Sequence, residues 1–270
     1  LILFQLYSLK KIAKLKINKL IDTHSHIYYD QYNDDLDEVI NRSLDKGVDK
    51  IVCVGVDLQS SIQSLELANK YDNIFCTVGY HPHESEKDTD QYLNELEVMC
   101  KEPNVIGIGE TGLDYYYKHS NIEIQKKRFI EQIELANSLD LPVVIHNRES
   151  DNDLYKILKK YIPKGVIHCF SSNIDFANKI VDLGLLLSFT GIITFKNSNL
   201  YDVIESTPIS KIMVETDSPY LTPEPYRGKR NEPSYVSIIA EKISEIKKIP
   251  INDVAKQTTS NALNLFKKLK

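Results

Sequence analysis

The chain has 270 residues, of which 42% are hydrophobic and 26% charged, and its formal net charge is −5. This composition is that of an ordinary globular protein, and the negative charge excludes a surface that is basic throughout. A local cluster of Lys and Arg could still hold phosphates on an acidic body. No spacing among the four cysteines is C-x-x-C. We therefore expect reduced thiols in a reducing compartment, with Cys53, Cys76 and Cys169 in buried strands.

The first residues are apolar and are followed by four lysines between residues 10 and 16. A secretory signal carries its charges before the apolar run, which is the opposite order. We therefore expect residues 1–19 to be an amphipathic lead-in to one domain at residues 20–270, in a cytoplasmic or nuclear protein. Because the chain begins with Leu, a clipped targeting segment, and with it secretion, stays a second interpretation. No other segment approaches the roughly 18 apolar residues of a membrane span.

Eight short apolar runs rich in Ile and Val recur along the chain, with helical patterns between them. They are Lys19–Thr23, Lys50–Val56, Ile74–Gly79, Val105–Gly109, Pro142–His146, Gly165–Cys169, Leu185–Thr190 and Lys211–Val214. Apolar strands that alternate with helices indicate a parallel sheet that is buried on both faces. Eight such units in this length predict an α/β fold, a single-domain (β/α)₈ barrel of the TIM type. A final helix, Asn252–Leu269, should pack outside it.

Six of the eight predicted strands run into segments that contain His, Asp or Glu. The segments are DTHSH, GYHPH, GETGLD, HNRES, HCFSS and ETDSP. The active site of a (β/α)₈ barrel lies at the C-terminal ends of its strands. This segregation of polar residues therefore predicts an active site at one rim.

His24 and His26 are one residue apart at the end of the first strand. Alternate residues of a strand share a face, so both imidazoles, together with Asp22, can point into the barrel mouth and bind metal. Glu110 ends a strand in which Gly107 and Gly109 permit close backbone approach. Its two oxygens can bridge two cations about 3.5–4 Å apart.

His146 and His168 end two consecutive strands and can complete a second metal position. Glu215 and Asp217 follow the eighth strand and should share a face. We assign Asp217 as a ligand and as the base that accepts the proton of the attacking water, with the other carboxylate orienting a ligand. Taken singly, the histidines could be ordinary surface or structural residues, and Asp217 could only initiate the turn at Asp-Ser-Pro. Their joint placement favours a metal site.

Further side chains near the rim supply positive charge or hydrogen-bond donors for a phosphate or substrate. They are His81, His83, Arg148, Arg227, Lys229 and Arg230. The last three lie in the Pro-rich loop at 222–233 after strand eight, a region that often holds phosphate in barrels. A solvated basic loop is an equally good interpretation. Tyr115, Tyr116 and Tyr117 could stack bases or only pack the loop.

These motifs, in this order, resemble the TatD family of metal-dependent deoxyribonucleases, within the amidohydrolase-like barrels. The matching stretches are IDTHSHI, VGYHPHE, IGIGETGLDYY, LPVVIHNRES, IHCFSS, MVETDSPYL, PYRGKRNEP and TTSNALNLF. The resemblance runs from about Leu20 to Phe266, and Gln125, Phe129, Gln132 and Ala136 fit the family's fourth helix. The chain departs from the family at Ser172 and at Glu149-Ser150. These positions affect loop shape rather than ligands.

The resemblance implies two divalent ions (Mg²⁺, Mn²⁺ or Zn²⁺), one held by His24, His26, Glu110 and Asp217 and the other by Glu110, His146 and His168. It implies catalytic roles for Asp217, Glu110 and Glu215, the last near the attacking water, and a phosphate-side role for His81. It further implies a 3′–5′ exonuclease that hydrolyses single-stranded or nicked DNA with little sequence specificity, in DNA degradation or repair. We expect a monomer.

Two other functions stay open. A D-aminoacyl-tRNA deacylase, or another amidohydrolase-type enzyme, could use the same site, because activated water attacks carbonyl carbon and phosphorus alike. A non-catalytic binding protein is the third possibility. Intact ligands at all six metal positions argue against it.

Overall fold

The computed structural model describes residues 19–87, 91–117 and 119–269. Eight parallel strands, paired in chain order, form one sheet. They are β1 (Leu20–Ser25), β2 (Val48–Val54), β3 (Ile74–Val78), β4 (Val105–Asp114), β5 (Val143–Arg148), β6 (Gly165–Ile167), β7 (Leu186–Phe189) and β8 (Ile212–Val214). The ends of β8 and β1 meet where the Asp217 N–H donates to the His24 carbonyl at 2.9 Å. The predicted α/β barrel is confirmed.

Among the described residues, one α-helix follows each of the seven strands β1 to β7, and two follow β8. They are α1 (Leu36–Asp45), α2 (Leu58–Lys70), α3 (Tyr92–Met99), α4 (Ile122–Ser138), α5 (Asp151–Tyr161), α6 (Ile174–Asp182), α7 (Tyr201–Ser206), α8 (Val236–Lys247) and α9 (Ile251–Leu265). None of the helices in the described ranges has the length and hydrophobicity to cross a bilayer. Of the predicted lead-in at 1–19, all but Lys19 lies outside the described residues.

The lower end of the barrel is closed by the residues that follow α9. Phe266 and Leu269 are fully buried and join a cluster of apolar side chains from the strands, including Ile21, Ile106 and Met213. The ammonium of Lys268 donates to the carbonyl oxygens of Cys100, Glu102 and Val105. The prediction of one outer helix over Asn252–Leu269 is therefore wrong in its last turn, because α9 ends at Leu265 and the chain then turns under the barrel.

Two glutamines of α4 hold the upper ends of β3 and β4. Gln132 accepts from the Tyr80 N–H at 2.8 Å and donates to the Thr111 hydroxyl at 2.7 Å. Gln125 bonds both the N–H and the carbonyl of Asp114, at 2.9 Å and 3.1 Å. Both side chains are fully buried, and a buried amide that satisfies backbone groups fixes their position. These contacts fix the positions of the residues at the C-terminal ends of β3 and β4, which lie at the rim of the barrel.

Candidate metal centre

The pair His24 and His26 enters the centre from the end of β1. The β1–β2 register shifts between Asp22 and Ser25, and such irregularities re-aim side chains beside active sites. The two Nε2 atoms lie 3.1 Å apart. Nδ1 of His26 lies 2.9 Å from the Val54 carbonyl, so that nitrogen carries the proton and Nε2 presents a lone pair. His26 therefore has the tautomer that a metal ligand needs.

Asp217 reaches the same point from the end of β8. Its backbone is left-handed, with φ of 55°, and its N–H is tied to the His24 carbonyl. Oδ1 lies 3.4 Å from Nε2 of His26 and 3.7 Å from Nε2 of His24. β8 ends at Val214, so Asp217 is not part of the strand. The left-handed turn, and not the alternation of side chains along a strand, places its carboxylate in the centre.

Glu110 joins this group to a second one. Its Oε2 lies 3.3 Å from Nε2 of His24. Its Oε1 lies 2.8 Å from Nδ1 of His146 and 2.7 Å from Nε2 of His168. The two oxygens of one carboxylate therefore face two different sets of imidazoles, as a bridging ligand would.

Glycines bring β4 close enough to β5 for this arrangement. A Cβ atom at Gly109 would collide with the Val144 carbonyl oxygen, and one at Gly112 with that of His146. Both glycines also have positive φ, 136° and 147°, which residues with a side chain rarely adopt. The expected close approach at Gly109 is confirmed.

The outer nitrogens of His146 and His168 each face a buried carboxylate. Nε2 of His146 lies 3.2 Å from Oδ2 of Asp114, and Nδ1 of His168 lies 3.4 Å from Oε1 of Glu215. That Glu215 oxygen also accepts from the Cys169 N–H at 2.6 Å. Carboxylates in this position fix the orientation of metal-binding imidazoles and raise their basicity.

Burial and mutual charge control ionisation at the centre. Burial opposes the ionisation of Glu110, but His168 and His81 outweigh it and hold the pKa of Glu110 well below its usual range. Burial lowers the pKa of His168, yet Glu110 and Glu215 raise it well above the ordinary value. For Asp217, His26 and His24 outweigh burial and lower the pKa. These lowered pKa values favour the anionic forms of Glu110 and Asp217 in a largely buried centre, where negative charge calls for compensating positive charge.

The centre forms the floor of an open cavity of about 690 Å³. His81, His83 and Arg148 are on its wall, as the sequence suggested. Nδ1 of His81 accepts from the His83 N–H at 3.1 Å, and burial lowers the pKa of His81 to about 4. Its neutral form therefore carries the proton on Nε2, 3.4 Å from Oε1 of Glu110. This tautomer directs the N–H of His81 toward Glu110, which lines the same cavity.

The basic loop after β8 lies elsewhere. Arg227, Lys229 and Arg230 do not line this cavity. The Arg230 guanidinium is paired with Asp35 at 2.7 Å, and that of Arg227 lies over the Phe195 ring at 3.7 Å. The position of these three residues in the fold therefore does not support the expectation that they bind phosphate at the metal centre.

The sequence reading missed some residues that matter to the centre. Asp114 was not among the predicted site residues, although it stands four residues after Glu110 in the same strand and lies at the same rim. Asp22 was expected to face the mouth, but its carboxylate accepts from the N–H and hydroxyl of Thr216 at 2.8 Å and 2.6 Å. Cys169 was expected in the core and instead lines the cavity with a free thiol.

The donor set fits divalent metal ions. In the part of the chain that the structure describes, three groups have ligand atoms within 4.8 Å of one another: His24, Glu110 and His168; His24, His26 and Asp217; His81, Glu110 and His146. Imidazole nitrogens and carboxylate oxygens are the donors that Zn²⁺ and Mn²⁺ accept, and carboxylates also suit Mg²⁺. Cations among these atoms would also balance the buried anionic charge.

Comparisons with known proteins show the family of the chain. The model of the family described as TatD related DNase matches residues 21–267. The chain is 40% identical over 252 residues to YabD of Bacillus subtilis, an uncharacterized metal-dependent hydrolase, covering 92% of this chain and 99% of that protein. It is 34% identical over 254 residues to a protein of the same description, YcfH of Escherichia coli, with coverage of 92% and 95%.

Solved structures give the same result. The TatD homologue YjjV of Escherichia coli superposes with a TM-score of 0.87 at 29% identity, over 92% of this chain and 98% of that one. A TatD family hydrolase from Entamoeba histolytica has a TM-score of 0.84 at 28% identity, over 93% and 98%. The chain therefore belongs to the TatD-related DNase family of metal-dependent hydrolases.

Proposed function

We propose that the protein hydrolyses DNA phosphodiesters and removes nucleotides from the 3′ ends of single-stranded or nicked DNA. The observation that carries the proposal is the composition of one cavity. Buried imidazoles and carboxylates form its floor, and the donors His81, His83 and Arg148 stand on its wall. The family description, TatD related DNase, supports the same substrate class. No base-reading groups are needed for such a reaction, so we expect little sequence specificity.

We propose two divalent ions: His24, His26, Glu110 and Asp217 would hold one, and Glu110, His146 and His168 would hold the other. Ions in these positions would supply Lewis-acid activation of water and charge neutralisation of the ester. The protein's part is to hold the donor atoms at a fixed separation. Glu110 does so because both of its oxygens are engaged, at 3.3 Å and 2.7 Å from imidazole nitrogens.

Within this scheme Asp217 accepts the proton of the attacking water. Its pKa is lowered by His26 and His24 against the effect of burial, so the carboxylate is ionised and able to take a proton. Glu215 would orient the His168 ring, because its Oε1 lies 3.4 Å from Nδ1, the nitrogen on the side away from Glu110. His81 and Arg148 line the same cavity, and their N–H groups could bind phosphate oxygens when a substrate enters.

The assay uses a single-stranded oligonucleotide labelled at one end, with Mg²⁺ or Mn²⁺. With a 5′ label we expect a ladder of progressively shorter products, and with a 3′ label the immediate release of a labelled mononucleotide. Asp217→Ala should lose turnover and keep the fold, whereas Asp202→Ala on the outer helix α7 should match wild type. If the DNA stays intact and the protein rapidly deacylates D-Tyr-tRNA, the proposal is wrong and the protein is a D-aminoacyl-tRNA deacylase.

A further inference from the structure

Two tyrosines and an arginine form a distinct surface beside the candidate metal centre. The Tyr116 and Tyr117 side chains are 54% and 50% exposed. The Arg148 guanidinium lies 4.4 Å from the ring centre of Tyr116 and 4.7 Å from that of Tyr117. We call these three residues the rim platform. Both tyrosines keep about half of their surface exposed, and Tyr117 lines the central cavity, so a ligand in the cavity can reach this surface.

The rim platform is tied to the metal centre through Asp114. Oδ1 of Asp114 accepts from the N–H groups of Tyr116 and Tyr117 at 3.0 Å and 2.9 Å. Its other oxygen, Oδ2, contacts Nε2 of His146 at 3.2 Å and Nε2 of His83 at 2.9 Å. One buried carboxylate therefore fixes the tyrosine turn relative to a candidate metal ligand. A ligand lying on the platform would be held at a set distance from the centre.

The charge of Arg148 is available to an anion. In the described part of the chain no carboxylate pairs with Arg148, whereas Arg42 and Arg230 both pair with Asp35. Arg148 is also the one Lys or Arg among the described residues that line the central cavity. Its guanidinium lies over the two rings without a carboxylate partner, and a guanidinium held in this way can donate to phosphate oxygens.

The groove on the other side of Arg148 does not suit a polyanion. This groove, of about 780 Å³, shares Arg148 with the central cavity and is lined by Glu149, Asp151 and Asp153. Lys156 also lines it but lies 3.2 Å from Asp153. Like charge would therefore turn a nucleic acid strand away from the groove and toward the tyrosines.

We propose that the rim platform stacks a nucleobase of single-stranded DNA on Tyr117, the tyrosine that lines the central cavity, while Arg148 binds the adjoining phosphate. The inference rests on the proposed nuclease function and adds a base-binding subsite to it. Every base presents a π face, so the contact tolerates any sequence, and a paired base in an intact duplex cannot make it. The platform would thus give a preference for single strands without base reading.

The first test measures stacking directly. The chain contains no Trp, so Tyr117→Trp introduces a single fluorescent reporter. The probe is decathymidine with phosphorothioate linkages, which resist hydrolysis, added in the presence of Mg²⁺. We expect saturable quenching of the Trp emission by this strand and none by an abasic strand of equal length and charge. Equal responses to the two strands would overturn the inference.

The second test measures affinity. Tyr117→Ala should weaken binding of the same strand roughly 5- to 150-fold, the range for loss of one stacked base, and Tyr117→Phe should bind like wild type. Tyr201→Ala is the matched control, because Tyr201 is 46% exposed and lines neither cavity. Thermal melting of each variant establishes that it is folded.

The outcomes separate the inference from the proposed function. If wild type shortens labelled DNA and Tyr117→Ala binds the decathymidine as tightly as wild type does, the platform is wrong and the nuclease stands. If wild type neither binds the strand nor hydrolyses it, both are wrong. Weakened binding in Tyr117→Ala, with restoration in Tyr117→Phe, supports the platform.

Discussion

Oδ2 of Asp114 lies 3.2 Å from Nε2 of His146, the ring nitrogen that faces away from Glu110. Asp114 is 1% exposed, and its backbone is held at both ends by Gln125. His146 is thereby fixed with Nδ1 toward the centre of the cluster. The carboxylate thus sets the direction of one candidate metal ligand without contacting the metal position itself.

Asp114→Asn should lower metal affinity about 10- to 100-fold, because the amide cannot supply the negative charge that raises the basicity of His146. Competition with a fluorescent chelator measures the Kd for Mn²⁺ or Zn²⁺. Asp182→Asn on the exposed face of α6 is the control and should bind as wild type does. Equal affinity in Asp114→Asn and wild type would mean that Asp114 does not position His146.

Metal binding should raise the thermal stability of the protein, because only the folded chain assembles the ligand set. At a free ion concentration of about 100 times Kd, one site contributes about 2.7 kcal/mol, or roughly 5–10 °C in Tm for a chain of this size. Differential scanning calorimetry of chelator-treated protein with and without Mn²⁺ measures the shift. Asp217→Ala should show a smaller shift, and an unchanged Tm in wild type would contradict the assignment of the site.

Phe266→Ala should destabilise the fold without touching the chemistry. Phe266 is fully buried in the cluster that closes the lower end of the barrel, and truncating such a ring costs about 3–5 kcal/mol. Urea denaturation measures the loss, and Phe266→Leu should lose less. Turnover per folded molecule should stay at the wild-type value, because the metal centre lies at the opposite rim.

The barrel and its rim could be predicted because their signals are local. Each predicted strand begins with a short apolar run, and polar residues stand at or just after its end, as His24 does in β1 and His168 does after β6. Closure of the sheet then brings the six candidate ligands to one rim. The family resemblance pointed to the same six residues.

Other features depend on backbone geometry and tertiary pairing that the sequence does not display. Asp217 reaches the centre through a left-handed turn, and Asp22 is drawn to Thr216 by two hydrogen bonds. Arg230 was a candidate for phosphate binding from the sequence, but in the fold it pairs with Asp35, which is 195 positions away in the chain. Asp114 stands in the GETGLD segment, but only the fold shows that its carboxylate lies beside His146.

The central claim is that Glu110 joins two metal positions, and ion counting tests it most directly. Equilibrium dialysis against Mn²⁺, followed by elemental analysis, gives the number of ions bound per chain. We predict two ions for wild type, one for His168→Ala and at most one, weakly held, for Glu110→Ala. Two tightly bound ions in Glu110→Ala, or none in wild type, would contradict the account.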